Sequence, residues 1–64
     1  MIAITVDDDR PMLKALTDIV KASPDIEEVY DFSVCTLALE WVAENKLDVA
    51  FLNFKPILFS NLNI

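Results

Sequence analysis

Short apolar runs along the chain alternate with stretches in which apolar residues recur at helical spacing. Ile2 to Val6 is a β-branched run that ends at three aspartates, which predicts a strand leading into a helix. Pro24 then stops the helix, because proline has no backbone N–H to donate. We predict a first strand over residues 2–6 and a first helix over residues 10–22. The apolar positions of that helix are Met12, Leu13, Leu16, Ile19 and Val20.

A second strand and a second helix follow the proline. Glu28 to Phe32 has the composition of a short strand, and Ser33 is a residue type that caps helices. Asn45 tolerates the left-handed conformation that ends many helices, so we expect this helix to end in a turn of Asn45 and Lys46. Apolar residues on one face of the predicted helix are Val34, Leu37, Ala38, Trp41 and Val42.

A third run, Val49 to Phe54, is apolar except for Asn53. A continuous apolar run fits a strand that is covered on both faces of a parallel sheet, so we expect it to be the most buried element. Strands that alternate with helices of about a dozen residues predict an α/β fold built from right-handed βαβ units. Residues 1–54 are therefore predicted to form one βαβαβ unit.

The tail, residues 55–64, is predicted to be either a fourth strand or a contact with a second chain. Ile57 to Ile64 contains a short apolar run and then alternating apolar residues. Apolar residues make up 55% of the 64 residues, and a chain this short buries only about 60% of the surface of its unfolded form. We therefore expect a homodimer with the third strand and the tail at its centre.

Composition excludes several classes of protein. Eleven acidic and five basic residues give a net charge of −6, which repels a nucleic-acid backbone. The chain has no glycine, which excludes the glycine-rich loops that hold nucleotide phosphates. No apolar run approaches the roughly 20 residues that cross a bilayer, and the N-terminus lacks a secretory pattern. With a single cysteine, Cys35, which we expect to be buried, we predict a cytoplasmic protein that binds neither nucleic acid nor membranes.

Polar residues follow the first strand and end the third. Asp7 and Asp8 come directly after Val6, and Asn53 lies near the end of the third run. The carboxyl ends of parallel strands meet at one edge of a sheet, where such folds bind ligands, so we expect these side chains to face each other. Their oxygens are ligands of the type that hold Mg²⁺. The alternative is that the aspartates only cap the first helix and interact with its dipole.

Four segments of the chain also carry a family likeness: Ile4-Thr5-Val6-Asp7-Asp8-Asp9 with Pro11, Ser23-Pro24-Asp25-Ile26-Glu27, Ala38-Leu39-Glu40-Trp41-Val42 and Leu47-Asp48-Val49-Ala50-Phe51-Leu52. In order and spacing they resemble the receiver domains of response regulators, the CheY-like family, and within it the receivers of LytTR-type transcription regulators. The resemblance implies a truncated flavodoxin-like parallel sheet with the strand order 2-1-3 and two helices. An extra strand from the tail is the alternative that the apolar pattern of residues 57–64 leaves open.

In that family an acidic pair after the first strand binds Mg²⁺, and an aspartate ending the third strand accepts phosphate from a histidine kinase. A backbone carbonyl two residues later completes the metal site. The resemblance assigns these roles to Asp7 and Asp8, to Asn53 and to the carbonyl of Lys55. Asn53 departs from the family, because a neutral amide does not form an acyl phosphate and removes a charge from the metal site. We expect weak Mg²⁺ binding, no phosphorylation and no enzymatic activity.

Two further departures concern the end of the chain. Phe54-Lys55-Pro56-Ile57 stands where the family usually has a Met-Pro-Gly type turn, and the later strands with their Ser or Thr and Lys contacts to phosphate are missing. The predicted function is that of a truncated receiver of two-component phosphorelay signal transduction, which acts through protein interaction. A histidine kinase is expected as a partner only if the parent protein is a complete receiver.

Two other interpretations stay open. Asp7 and Asp9 after a strand also resemble the paired aspartates of Mg²⁺-dependent phosphohydrolases of the haloacid-dehalogenase type. In that family a Gly-Thr pair comes next, whereas this chain has Arg10-Pro11. A test for Mg²⁺-dependent phosphatase activity would distinguish the phosphohydrolase interpretation from the receiver interpretation. The chain also fits a non-functional fragment or frame-altered product of a response regulator, since its character changes abruptly after Leu52.

Overall fold

The computed structural model describes residues 1–53, which form a three-stranded parallel sheet and two helices. In chain order the elements are β1 (Ile2–Val6), α1 (Arg10–Lys21), β2 (Glu28–Phe32), α2 (Cys35–Glu44) and β3 (Val49–Leu52). The strand order is β2-β1-β3, so β1 lies in the middle. This arrangement confirms the predicted α/β fold with strand order 2-1-3, and it is consistent with the strand order of a flavodoxin-like sheet.

Several predictions concern residues that lie outside this range. They are the metal contact of the Lys55 carbonyl and the fourth strand or dimer contact in the tail of residues 55–64. The third strand, predicted to run to Phe54, ends at Leu52, so Asn53 follows the strand and is not part of it. Within residues 1–53, neither helix has the combination of length and apolar character that a membrane crossing requires.

The core is centred on β1 and not on β3. Ala3, Ile4, Thr5 and Val6 are all buried, whereas three of the four residues of β3 are exposed. The prediction that the third strand is the most buried element is therefore wrong. The reason is that both helices pack against β1 and β2, and neither packs against β3.

Helix α1 begins at the predicted residue, Arg10, but the face that it buries differs slightly from the predicted apolar face. Asp9 is the N-cap, and its carboxylate accepts a hydrogen bond of 3.3 Å from the backbone N–H of Met12. The helix ends at Lys21, one residue before the predicted end. Met12 and Ile19, which flank the predicted stripe, are exposed. The buried side chains are Leu13, Thr17 and Val20.

Both ends of α2 differ from the prediction. The N-cap is Val34 and not Ser33, and no side chain caps the first turn. Asn45 ends the helix in an extended conformation, with φ at −132°, and not in the left-handed one. Its side-chain amide instead donates a hydrogen bond of 2.8 Å to the carbonyl of Trp41, which satisfies a carbonyl of the last turn.

Helix α2 buries only part of its apolar face. Ala38 is buried against Ile4 and Val6, and Trp41 packs beside this cluster with its ring 4.9 Å from that of Tyr30. The rest of the predicted stripe, Val34, Leu37 and Val42, is exposed. Cys35, expected to be buried, is also exposed. These side chains stay in solvent because α2 packs only on β1 and β2 within the described part of the chain.

Candidate functional site

The candidate site lies at the carboxyl edge of the sheet, one residue beyond β1 and β3. The backbone N–H of Asp7 donates to the carbonyl of Phe32 at 3.1 Å, which continues the pairing of β1 with β2. The backbone N–H of Asn53 donates to the carbonyl of Val6 at 2.9 Å, which continues the pairing of β1 with β3. The sheet ladder itself therefore places Asp7 and Asn53 side by side.

The carboxylate of Asp7 accepts a hydrogen bond at each of its oxygens. Oδ1 accepts from the backbone N–H of Asp9, and Oδ2 accepts from the side-chain amide of Asn53, both at 2.9 Å. Asp7 is only 2% exposed, and a buried carboxylate is costly unless donors surround it. These two donors replace the water that the carboxylate loses on burial.

The orientation of the Asn53 amide follows from its neighbour. An asparagine side chain offers an NH₂ donor on one side and a carbonyl oxygen on the other. Beside the Asp7 carboxylate only the NH₂ group is attractive, because the carbonyl oxygen would face another acceptor. The site thus consists of the buried carboxylate of Asp7 and the neutral side-chain amide of Asn53, which donates a hydrogen bond to it.

The other two aspartates have different surroundings. Asp8 is exposed to solvent, and Asp9 caps α1. Capping, the simpler interpretation of the aspartate cluster, therefore describes Asp9, whereas Asp7 bonds to Asn53. Of the four residues predicted to hold a metal, the structure brings Asp7 and Asn53 together, and Lys55 lies beyond the described range.

This donor arrangement does not suit Mg²⁺ as it stands. A cation needs oxygen ligands, but Asn53 directs its nitrogen at Asp7. The amide would have to turn over before its oxygen faced a metal held by Asp7 and Asp8. In residues 1–53 no three His, Cys, Asp or Glu side chains are grouped so that they could hold a metal ion.

A buried pair of hydroxyls supports the site from one side of the sheet. Thr5 and Thr17 lie 2.7 Å apart, oxygen to oxygen, and join β1 to α1 two residues before Asp7. Both side chains are buried, so each hydroxyl depends on the other as its partner. The sequence contained a signal for this contact, because Thr17 lies on the same helical face as Leu13 and Val20.

Comparison of the chain with protein-family models, with curated proteins and with solved structures finds no match. The features that bear on function are therefore the sheet topology and the Asp7–Asn53 pair. Together they place a buried carboxylate and an amide at the edge where parallel sheets bind ligands.

Proposed function

We propose that this chain is a receiver-like module of two-component signal transduction, which is not phosphorylated and acts through protein–protein interaction. The observation that carries the proposal is the hydrogen bond between Asn53 and Asp7 at the carboxyl edge of a sheet ordered 2-1-3. Asp7 follows β1 and Asn53 follows β3, the positions at which the resemblance to receivers places the acidic pair and the phosphoacceptor. Such a role belongs in the cytoplasm.

The chemistry of Asn53 argues against phosphotransfer. An acyl phosphate forms when a carboxylate oxygen attacks phosphorus, and an amide is not such a nucleophile. In this chain the amide nitrogen also points at Asp7. A hydrogen bond thus holds together two groups that, as a pair of carboxylates, would repel each other without a cation between them.

Mg²⁺ has a reduced role in this proposal. Asp7 and Asp8 remain as carboxylates, but Asp7 is engaged by two donors and Asn53 contributes no negative charge. We propose that any Mg²⁺ binds weakly, since one of the three expected carboxylates is replaced by an amide.

Intact-mass measurement after incubation with acetyl phosphate and Mg²⁺ tests the proposal. The natural chain should stay unmodified. The variant Asn53→Asp restores the carboxylate and should gain one phosphoryl group, whereas Asn53→Ala, which also removes the amide, should gain none. Phosphorylation of the natural chain would contradict the inactive assignment. A folded Asn53→Asp variant that never takes up phosphate would contradict the receiver assignment.

The proposed interaction is a homodimer formed through β3. Within residues 1–53 the outer edge of β3 has no partner strand, so its N–H and C=O groups are open to another chain. Phe51 is 37% exposed and Leu52 is 59% exposed. They lie beside Thr5 and Val6 in the sheet, so they emerge on opposite faces and leave apolar surface on both sides of the edge.

The symmetry of such a dimer follows from its geometry. A two-fold axis perpendicular to the sheet at the outer edge of β3 places the two copies of this strand antiparallel to each other. The result is a continuous sheet of six strands, with β3 moved from an edge to the interior. Phe51 and Leu52 would then have neighbours from the second copy, which explains why a strand of core-like composition is exposed in a single chain.

A further inference from the structure

A cavity separate from the Asp7–Asn53 pair lies between α1 and the carboxyl end of β2. Its volume is about 440 Å³, which falls within the roughly 300–1,000 Å³ of small-molecule sites. Arg10, Lys14 and Lys21 line its α1 side, and Asp31 and Ser33 line its β2 side. We call this cavity the α1–β2 groove.

The groove collects most of the positive charge of the described chain. Residues 1–53 contain four lysine and arginine side chains, and all except Lys46 line the groove. At about 100° per residue, Lys14 and Lys21 lie roughly 40° and 20° around the helix from Arg10. The three cations therefore form one line along α1, in a chain whose net charge is −6.

Two carboxylates offset part of this charge. Asp18 forms an ion pair with Lys14 at 3.2 Å, and Asp31 lies on the β2 side. Both members of the Lys14–Asp18 pair are exposed, and exposed pairs of this kind contribute only about 0–1 kcal/mol, so an incoming anion can replace Asp18. Arg10 and Lys21, at the two ends of the line, form no ion pair with any residue of the described chain.

The floor of the groove is fixed. Thr17 and Leu13 are buried there, and the hydroxyl of Thr17 is bound to Thr5. A ligand would therefore meet Leu13 and Thr17, held against β1, with the cations of α1 along one side. Ser33, which is half-buried, offers a hydroxyl from the opposite side.

We propose that the α1–β2 groove binds a small linear polyanion of the oligophosphate class. Arg10 and Lys21 are separated by roughly 16 Å of helix, so a ligand that engages all three cations must carry several charges in a row. A single phosphate ion reaches fewer of them. Lysine and arginine together suit phosphate oxygens, which accept both point charges and forked donors.

Titration with inorganic tripolyphosphate, followed by amide NMR at low salt and without divalent cations, tests this proposal. Saturable shifts are expected at Arg10, Thr17 and Ser33, with affinity falling from tripolyphosphate to pyrophosphate to phosphate. Arg10→Gln and Lys21→Gln should each weaken binding about threefold, as expected for an exposed charge contact. Lys46→Gln removes the same charge outside the groove and should leave the affinity unchanged.

Two results would overturn the proposal. The first is the absence of saturable shifts in the groove. The second is an equal loss of affinity in Lys46→Gln and Arg10→Gln, because binding would then follow total charge and not the line of cations on α1. Amide spectra of the unliganded variants show whether each one remains folded.

Discussion

The side-chain nitrogen of Asn53 lies 2.9 Å from a carboxylate oxygen of Asp7, although the two residues are 46 positions apart in the chain. The bond connects the ends of β1 and β3 and supplies a donor to a carboxylate that is only 2% exposed. The same contact is therefore expected to affect both the stability of the fold and the affinity for Mg²⁺. Unfolding and metal titration measure the two effects separately.

Removal of the Asn53 amide should destabilise the fold. In Asn53→Ala the buried Asp7 loses one of its two donors, which should lower the free energy of unfolding by about 1–3 kcal/mol. Urea unfolding measures the difference. Asn45→Ala is a matched control, because it removes an exposed asparagine hydrogen bond to Trp41 and should cost less than about 1 kcal/mol. Equal stability of Asn53→Ala and the natural chain would show that the bond contributes nothing.

Mg²⁺ should bind the natural chain with a dissociation constant above about 1 mM, because the site lacks a third carboxylate. Asn53→Asp should bind more tightly, since it restores that charge. The amide shifts of Asp7, Asp8 and Asp9 during a Mg²⁺ titration report the affinity. Submillimolar binding by the natural chain at physiological salt would mean that the amide turns over readily and serves as a ligand.

Light scattering at micromolar concentration should give twice the mass of one chain. Leu52→Glu places a charge on the exposed surface of β3 and should shift the protein to monomers. Ile19→Glu is the control, because Ile19 is 71% exposed on α1, which does not pack against β3. A natural chain that is monomeric and folds cooperatively would rule out the dimer.

The two buried threonines should act as a unit. Thr17→Val leaves the hydroxyl of Thr5 buried without its partner and should cost about 1–3 kcal/mol. The double variant Thr5→Val, Thr17→Val removes both hydroxyls and should be more stable than the sum of the single effects implies. Urea unfolding of the natural chain, of Thr5→Val, of Thr17→Val and of the double variant gives the coupling energy. Additive losses would mean that the hydroxyls do not depend on each other.

The phenol of Tyr30 should titrate above its ordinary pKa of 10.0. Its hydroxyl donates a hydrogen bond of 2.9 Å to Glu28, and this bond, followed by the negative charge of Glu28, raises the pKa. The resulting stabilisation is present below pH 10 and is lost as the pH rises through the folded-state pKa. Glu28→Gln should lower the pKa of Tyr30, as followed by phenolate absorbance. Glu27→Gln, which removes the neighbouring carboxylate, should change it less.

Local signals were sufficient for the strand bounds. Ile2 to Val6 and Glu28 to Phe32 are short runs bounded by aspartates, prolines or capping residues, and both strands have the predicted ends. The positions of Asp7 and Asn53 followed from the rule that parallel strands end at one edge. The bounds of these two strands and the positions of Asp7 and Asn53 depend only on the order of residues along the chain, so they could be predicted from the sequence.

Burial and hydrogen-bond orientation depend on what packs nearby. Val49 to Leu52 has the composition of a strand that is covered on both faces, but neither helix packs against it. The composition of a strand does not show which helices will cover it. The direction of the Asn53 amide is set by Asp7, a residue far away in the chain. The line of Arg10, Lys14 and Lys21 is visible in the sequence, whereas the β2 side of the groove appears only once the chain is folded.

The central strand is also the first to be synthesised. Ala3 of β1 pairs with Val29 of β2 on one side and with Val49 of β3 on the other. Both edges of β1 can therefore be paired only after β2 and β3 have been synthesised. At about 5–20 residues per second, the roughly 45 residues between Ala3 and Val49 take about 2–9 s to translate. During that interval the strand that is most buried in the finished sheet still has an unpaired edge. Translation speed and chaperone access should therefore influence the yield of this protein more than they would if its central strand were made last.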